Sequence, residues 1–89
     1  MLTEKEAWLA IAEEFDTGNT PSNYGVCNAV YVLYCDGDIT VSTYDNMLDK
    51  VKAYSKHTIK QYGAAHLWSF KPSGCKARAR FCRRQAENA

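Results

Sequence analysis

No stretch of this 89-residue chain comes near the ~18 consecutive apolar residues needed to span a bilayer. Its first residues, Met1-Leu2-Thr3-Glu4-Lys5-Glu6, lack a basic segment leading into an apolar run, so no secretory signal is expected. A soluble, cytosolic protein follows, with Cys27, Cys35, Cys75 and Cys82 as reduced thiols. Catalytic patterns are missing too. There is no Gly-x-Ser-x-Gly, no His-Glu pair on a helix and no phosphate-cradling glycine loop. Asp36/Asp38 and Glu13/Glu14 fall at turn and helix-end positions that face water, so they do not read as acid/base pairs. The cysteine spacings are not those of structural zinc sites, and His57 and His66 stand apart from every cysteine. Cys75 and Cys82, two helical turns apart, are more than ~10 Å from each other. The expectation is no enzyme, no metal and no cofactor.

Acidic residues are nearly absent from the second half. Residues 1–49 hold nine acids and one base, a balance of −8, whereas residues 50–89 hold ten bases and one acid, Glu87, a balance of +9. The net charge of +1 conceals this asymmetry. It points to an anionic partner for the second half, or to an acidic surface meeting a basic one between subunits. Neutralisation of one half by the other within a single fold is the plainer alternative. Apolar residues make up 46% of the chain and charged residues 24%, which is globular composition. Length argues for one domain over residues 1–89, with a thin stability margin that oligomerisation would relieve.

Local patterns predict helices. Thr3 and Glu6 form a capping-box pattern ahead of Trp8, Ile11, Ala12 and Phe15 on one stripe. Asp16 to Asn23 offers turn chemistry and reads as a loop. Tyr24 to Cys35 is ambiguous. A helix aligns Tyr24, Cys27, Val30, Tyr31 and Tyr34, while a hairpin over residues 29–43 would turn at Asp36-Gly37. Gly37 serves equally as a helix C-cap, and helix is favoured. Ser42 with Asp45 opens a third helix, whose apolar face runs through Tyr44, Met47, Leu48, Val51, Tyr54, Ser55, Thr58, Ile59 and Tyr62 to an end at Gly63. A last helix from about Cys75 to Glu87 carries the seam Cys75, Ala79, Cys82 and Ala86. The fold class expected is an all-α bundle of about four helices, with an α+β arrangement as the alternative.

Chemistry is richest near the C-terminus. Lys76, Arg80, Arg83 and Arg84 share one broad helical face. Arg78 falls at the edge of the apolar seam, where it must snorkel out or find a partner. Guanidinium forks suit phosphate, and Trp68, Phe70 and Tyr62 would offer stacking surfaces for a base. In the sharpest form of this expectation Arg78 and Arg80 clamp phosphate, while Lys76, Arg83 and Arg84 add positive field. The alternative is a solvated basic helix whose arginines pair with Glu13, Glu14 or Asp49. Cys82 has Arg78, Arg83 and Arg84 nearby, which would activate its thiol, but its place on the seam predicts burial.

The segments Leu2-Thr3-Glu4-Lys5-Glu6-Ala7-Trp8-Leu9-Ala10-Ile11-Ala12-Glu13-Glu14-Phe15, Tyr24-Gly25-Val26-Cys27, Thr43-Tyr44-Asp45-Asn46-Met47 and Arg80-Phe81-Cys82-Arg83-Arg84-Gln85-Ala86 resemble short accessory proteins of tailed bacteriophages. The resemblance spans nearly the whole chain and carries no catalytic residues. It implies expression in the cytoplasm of a bacterial host, outside virion assembly, and often a role against host defence. In size and setting the chain is similar to phage sponge proteins, small oligomers that sequester nucleotide immune signals. The expectation is a homo-oligomer that binds a small nucleotide-type ligand without cleaving it and has no membrane partner. Two rivals stand beside it. One is an inhibitor that engages a host defence protein, as anti-CRISPR proteins do, with its acidic half mimicking nucleic acid. The other is a small nucleic-acid-binding protein using the basic tail.

Overall fold

The computed structural model describes residues 1–19, 25–56, 60 and 74–89. Among them are four helices and no strand: α1 (Glu4–Thr17), α2 (Val26–Cys35), α3 (Val41–Tyr54) and α4 (Gly74–Glu87). The all-α expectation holds, and none of these helices is long and apolar enough to cross a membrane.

Helix α1 starts where the capping box predicts. Thr3 Oγ1 accepts from the Glu6 N–H at 3.2 Å, and Glu6 Oε1 accepts from the Thr3 N–H at 2.9 Å. The Thr3 N–H, and beside it the Thr3 hydroxyl, hold the Glu6 carboxyl below its usual pKa. At the other end Gly18 takes the left-handed conformation, φ 74°, that side-chain-bearing residues avoid. Ala7, Trp8, Ile11, Ala12 and Phe15 are all buried, as the 3.6-residue period requires.

Gly37 settles the ambiguity over α2. Its φ is 77°, its N–H donates to the Tyr34 carbonyl at 3.1 Å, and the Asp38 N–H donates to the Leu33 carbonyl at 2.9 Å. This nested pair terminates a helix, so Asp36-Gly37 is a C-terminal cap and the hairpin alternative fails. The expected apolar stripe of α2 needs correction along its length. Cys27 and Val30 are buried with Val26 and Ala29, but Tyr31 and Tyr34 remain exposed and lean on Tyr44 of α3. The reason is rotation about the axis. Helix α2 centres its buried face on Val26, Cys27, Ala29 and Val30, which carries the last-turn tyrosines to its margin.

Both ends of α3 also differ from expectation. Thr40, not Ser42, is the N-cap: Thr40 Oγ1 accepts from the Thr43 N–H at 3.1 Å, and Ser42 is exposed inside the first turn. The helix closes at Tyr54, short of Gly63, because Ser55 leaves helical geometry (φ −94°, ψ 15°). Its buried hydroxyl bonds back to the Val51 carbonyl at 2.7 Å. Thr58, Ile59, Tyr62 and Gly63 lie outside the described residues. Met47 and Val51 supply the core face, with Tyr44 and Leu48 half-buried.

Packing centres on α1. Helix α4 lies chiefly against it, and α2 bridges α1 to α3. The predicted seam of α4 is present: Ala79, Cys82 and Ala86 are buried and Cys75 is half-buried. Phe81 joins them and presents its ring edge to Trp8, centroids 5.9 Å apart at 84°. Trp8 is fully buried, and its indole N–H donates to Glu4 Oε2 at 3.0 Å. Lys50 of α3 closes an ion pair on the same carboxylate oxygen. Ile39, in the turn after α2, fills the core from the side.

Candidate ligand-binding site

Helix α4 carries the basic residues singled out from sequence, and its turn angle sorts them into groups. Lys76, Arg80 and Arg84, spaced four apart, form one exposed stripe with Arg83 beside it. Arg78 stands two residues from Arg80, about 200° away around the axis. It is 3% exposed and does not snorkel out; its guanidinium carbon lies 5.5 Å from the centre of the Phe15 ring. Its alkyl stem and cation belong to the α1–α4 contact, where cation–π attraction accompanies burial. Arg78 and Arg80 therefore do not converge on one phosphate.

Arg83 is engaged differently. It forms an ion pair with Asp16 at the end of α1. Both partners are substantially exposed, with side-chain exposures of 47% and 38%. Such a pair contributes only about 0–1 kcal/mol. The acid involved is Asp16, not the Glu13, Glu14 or Asp49 named from sequence, because Asp16 ends the helix against which α4 packs.

Arg80 and Arg84 line a cleft of about 140 Å³ together with Tyr54, Ala77 and Phe81. Among the described residues neither arginine makes an ion pair, and no carboxylate lines the cleft. Its aromatic wall is ordered from behind. Tyr54, in the last turn of α3, tilts 59° against Phe81 with ring centroids 4.7 Å apart, and Phe81 is itself wedged on Trp8. Tyr54 remains 54% exposed. Arg84 lies in the last turn of α4, where the carbonyl end of the helix favours a cation. A larger cleft of about 260 Å³ is lined by Ala10, Glu13, Glu14, Thr17 and Asn19. Its two glutamates repel phosphate, which leaves the Arg80–Arg84 cleft as the anion-compatible one of the two.

Tyr54 and Phe81 were not candidates from sequence. Both stand at the margins of apolar stripes, and only the close approach of the end of α3 to α4 turns those margins into a shared wall. Trp68, Phe70 and Tyr62, the expected stacking residues, lie outside the described residues. Lys76 is exposed one turn before Arg80 and is not part of the cleft lining.

The thiols are quiet. Burial pushes Cys82 and Cys27 up to about 12, and the arginines that flank Cys82 in sequence do not offset it. Among the described residues no group of histidines, cysteines and carboxylates is arranged to hold a metal ion. No family model matches the chain, and no curated protein or solved structure shows significant similarity to it.

Proposed function

We propose that this chain is a phage counter-defence protein that sequesters a small anionic nucleotide messenger and does not cleave it, using the Arg80–Arg84 cleft. The observation that carries the reading is two arginines one turn apart, without carboxylate neighbours in the cleft, beside the exposed ring of Tyr54. Two guanidinium forks at that spacing fit the oxygens of a phosphodiester or pyrophosphate, and a ring alongside fits a base. The phage setting rests on the resemblance of the segments quoted above. Lys76 adds field at the edge of the site, and Arg83, already neutralised by Asp16, adds less. A cleft of about 140 Å³ is below the ~300–1,000 Å³ of enclosing ligand pockets, so it grips a phosphate and one ring face and leaves the rest of the ligand outside.

Titration calorimetry with cyclic dinucleotides and ADP-ribose derivatives tests this. Two charge-assisted contacts of about 1.5–3 kcal/mol each mean that the R80A/R84A double variant loses at least about 100-fold in affinity. Tyr54→Ala loses less, roughly 1–3 kcal/mol for one stacked base. The ligand recovered after denaturing the complex is chemically unchanged. No heat from any compound at millimolar concentration removes the proposal, and recovery of a cleaved product would make the protein an enzyme. A nucleic-acid-binding role predicts instead an affinity for long duplexes that falls steeply with salt. The small cleft and the acidic first half both weigh against that.

A further inference from the structure

Helices α2 and α3 build a second surface that the ligand reading does not use. Tyr31 (48% exposed), Tyr34 (39%), Val32 (39%) and Val41 (57%) leave an aromatic and aliphatic patch open at that end of the molecule. The tyrosines are ordered against Tyr44, at 4.8 Å for Tyr34 (nearly parallel, 20°) and 6.3 Å for Tyr31. Four exposed acids flank them. Asp36 and Asp38 stand in the turn after α2, and Asp45 and Asp49 follow Val41 along α3 at four-residue intervals. Among the described residues none of these acids makes an ion pair. Exposed tyrosines with an acidic rim suit an arginine-bearing partner, because guanidinium planes stack on phenol rings while their charge meets the rim.

The chain carries such a partner surface itself. Lys76, Arg80 and Arg84 on α4 repeat every four residues, the same interval as Val41, Asp45 and Asp49 on α3. Within one molecule the two do not pair: among the described residues neither Asp45 nor Asp49 forms an ion pair with Lys76, Arg80 or Arg84. The cleft reaches α3 at Tyr54, whereas Asp45 stands nine residues earlier, about 13 Å along the helix. We infer that two copies of this chain associate with the α4 stripe of Lys76, Arg80 and Arg84 seated on the tyrosine patch and acidic rim of α2–α3 in the other copy, so that association and a bound nucleotide compete for Arg80 and Arg84. Unlike surfaces meet, so the contact either closes reciprocally as a dimer or propagates head to tail.

Sedimentation velocity without any nucleotide tests this, and so separates it from the ligand reading. At roughly 100 µM protein, a concentration suited to micromolar contacts, the weight-average mass at about 50 mM salt approaches twice the 10.0 kDa of the chain for a closed dimer and exceeds it for a head-to-tail chain. It falls towards the monomer at about 500 mM salt, where exposed charges are screened. The rim variant D45K/D49K and the stripe variant K76E/R80E change exposed positions only and retain wild-type circular dichroism. The rim variant sediments as a monomer with itself. So does the stripe variant, whereas an equimolar mixture of the two sets rim lysines against stripe glutamates in one contact and wild-type stripe against wild-type rim in the other, which restores attraction and returns the heavier species. A wild type that is monomeric at low salt overturns the inference, as do variants that associate like the wild type or a mixture that stays monomeric. A monomeric wild type that binds an oligoarginine peptide would assign the patch to a foreign basic partner and likewise overturn it.

Discussion

Trp8 is the side chain on which the α1–α4 contact and the wall of the candidate cleft both depend, and its replacement gives the most direct energetic test of the fold. The indole is fully buried, meets Phe81 edge-on at 5.9 Å and donates to Glu4 at 3.0 Å. Truncating a buried tryptophan to alanine costs about 3–5 kcal/mol. A domain of this size has a total stability of roughly 4–13 kcal/mol, so Trp8→Ala lies near the unfolding threshold. Trp8→Phe separates the terms. It keeps a ring against Phe81 but loses the N–H donor and part of the buried area. Glu4 is not stranded by the loss, because Lys50 still pairs with it. A cost of about 2 kcal/mol follows, near the lower end for hydrogen bonds to charged groups. For a small domain each kcal/mol lowers Tm by about 4–8 °C, so Trp8→Phe loses roughly 8–16 °C. Thermal unfolding followed by far-ultraviolet circular dichroism reads this. Leu9→Ala serves as the neighbouring control, since Leu9 is 45% exposed, and its effect stays within about 1 kcal/mol. A Trp8→Phe variant that melts within about 2 °C of wild type, well under one kcal/mol, would refute the packing described here.

Two further outcomes follow from local structure. Thr40→Ala removes the cap of α3 and costs about 1 kcal/mol in urea unfolding, whereas Ser42→Ala, an exposed first-turn position, changes stability by only a few tenths; the reverse order would return the helix start to Ser42. Among the thiols, exposed Cys35 reacts with a disulfide reagent at neutral pH in the native protein, while Cys27 and Cys82, buried and pushed up to about 12, react only on unfolding. Native-state modification of Cys82 ahead of Cys35 would contradict the seam.

What the sequence made legible follows from where the physics is local. The α1 capping box is complete within four residues, and the stripe Trp8, Ile11, Ala12 and Phe15 has one clear period, so start and buried face were both readable. The α4 seam was readable for the same reason. Elsewhere neighbours decided. Thr40 and Ser42 are both competent caps, and the choice between them depends on Ile39 being drawn into the core just before the helix. Ser55 breaks α3 through a hydroxyl-to-carbonyl bond that period counting does not register. Tyr31 and Tyr34 obey helical spacing but sit outside the core, because spacing gives a face and not the partner that covers it. The candidate cleft was half legible. Its arginines showed in the charge run, whereas Tyr54 and Phe81 became a wall only through the approach of two distant helices.

The charge asymmetry posed a choice between internal neutralisation and an external partner, and the structure pairs some of these charges internally and leaves others exposed. Glu4–Lys50 and Asp16–Arg83 each join an acid of the first half to a base of the second; Asp16–Arg83 lies where α1 and α4 pack, and Glu4–Lys50 links α1 to α3. Contact geometry selects these pairs: Glu4 beside Trp8, and Asp16 at the end of the helix that carries α4. Charges that point away from those contacts have no such recourse. Helix α4 must bury Ala79, Phe81, Cys82 and Ala86 against α1, so Lys76, Arg80 and Arg84 are turned outward by the same rotation that fills the core. Asp36, Asp38, Asp45 and Asp49 are turned outward where α2 and α3 bury Val30, Met47 and Val51. Reversing the orientation of either helix to neutralise these groups would expose its apolar face at about 25 cal/mol for each Å² uncovered. Exposed ion pairs return at most about 1 kcal/mol each. Core packing therefore outweighs charge pairing in this fold, and the unneutralised stripes that result are the surfaces available to ligands and to other chains.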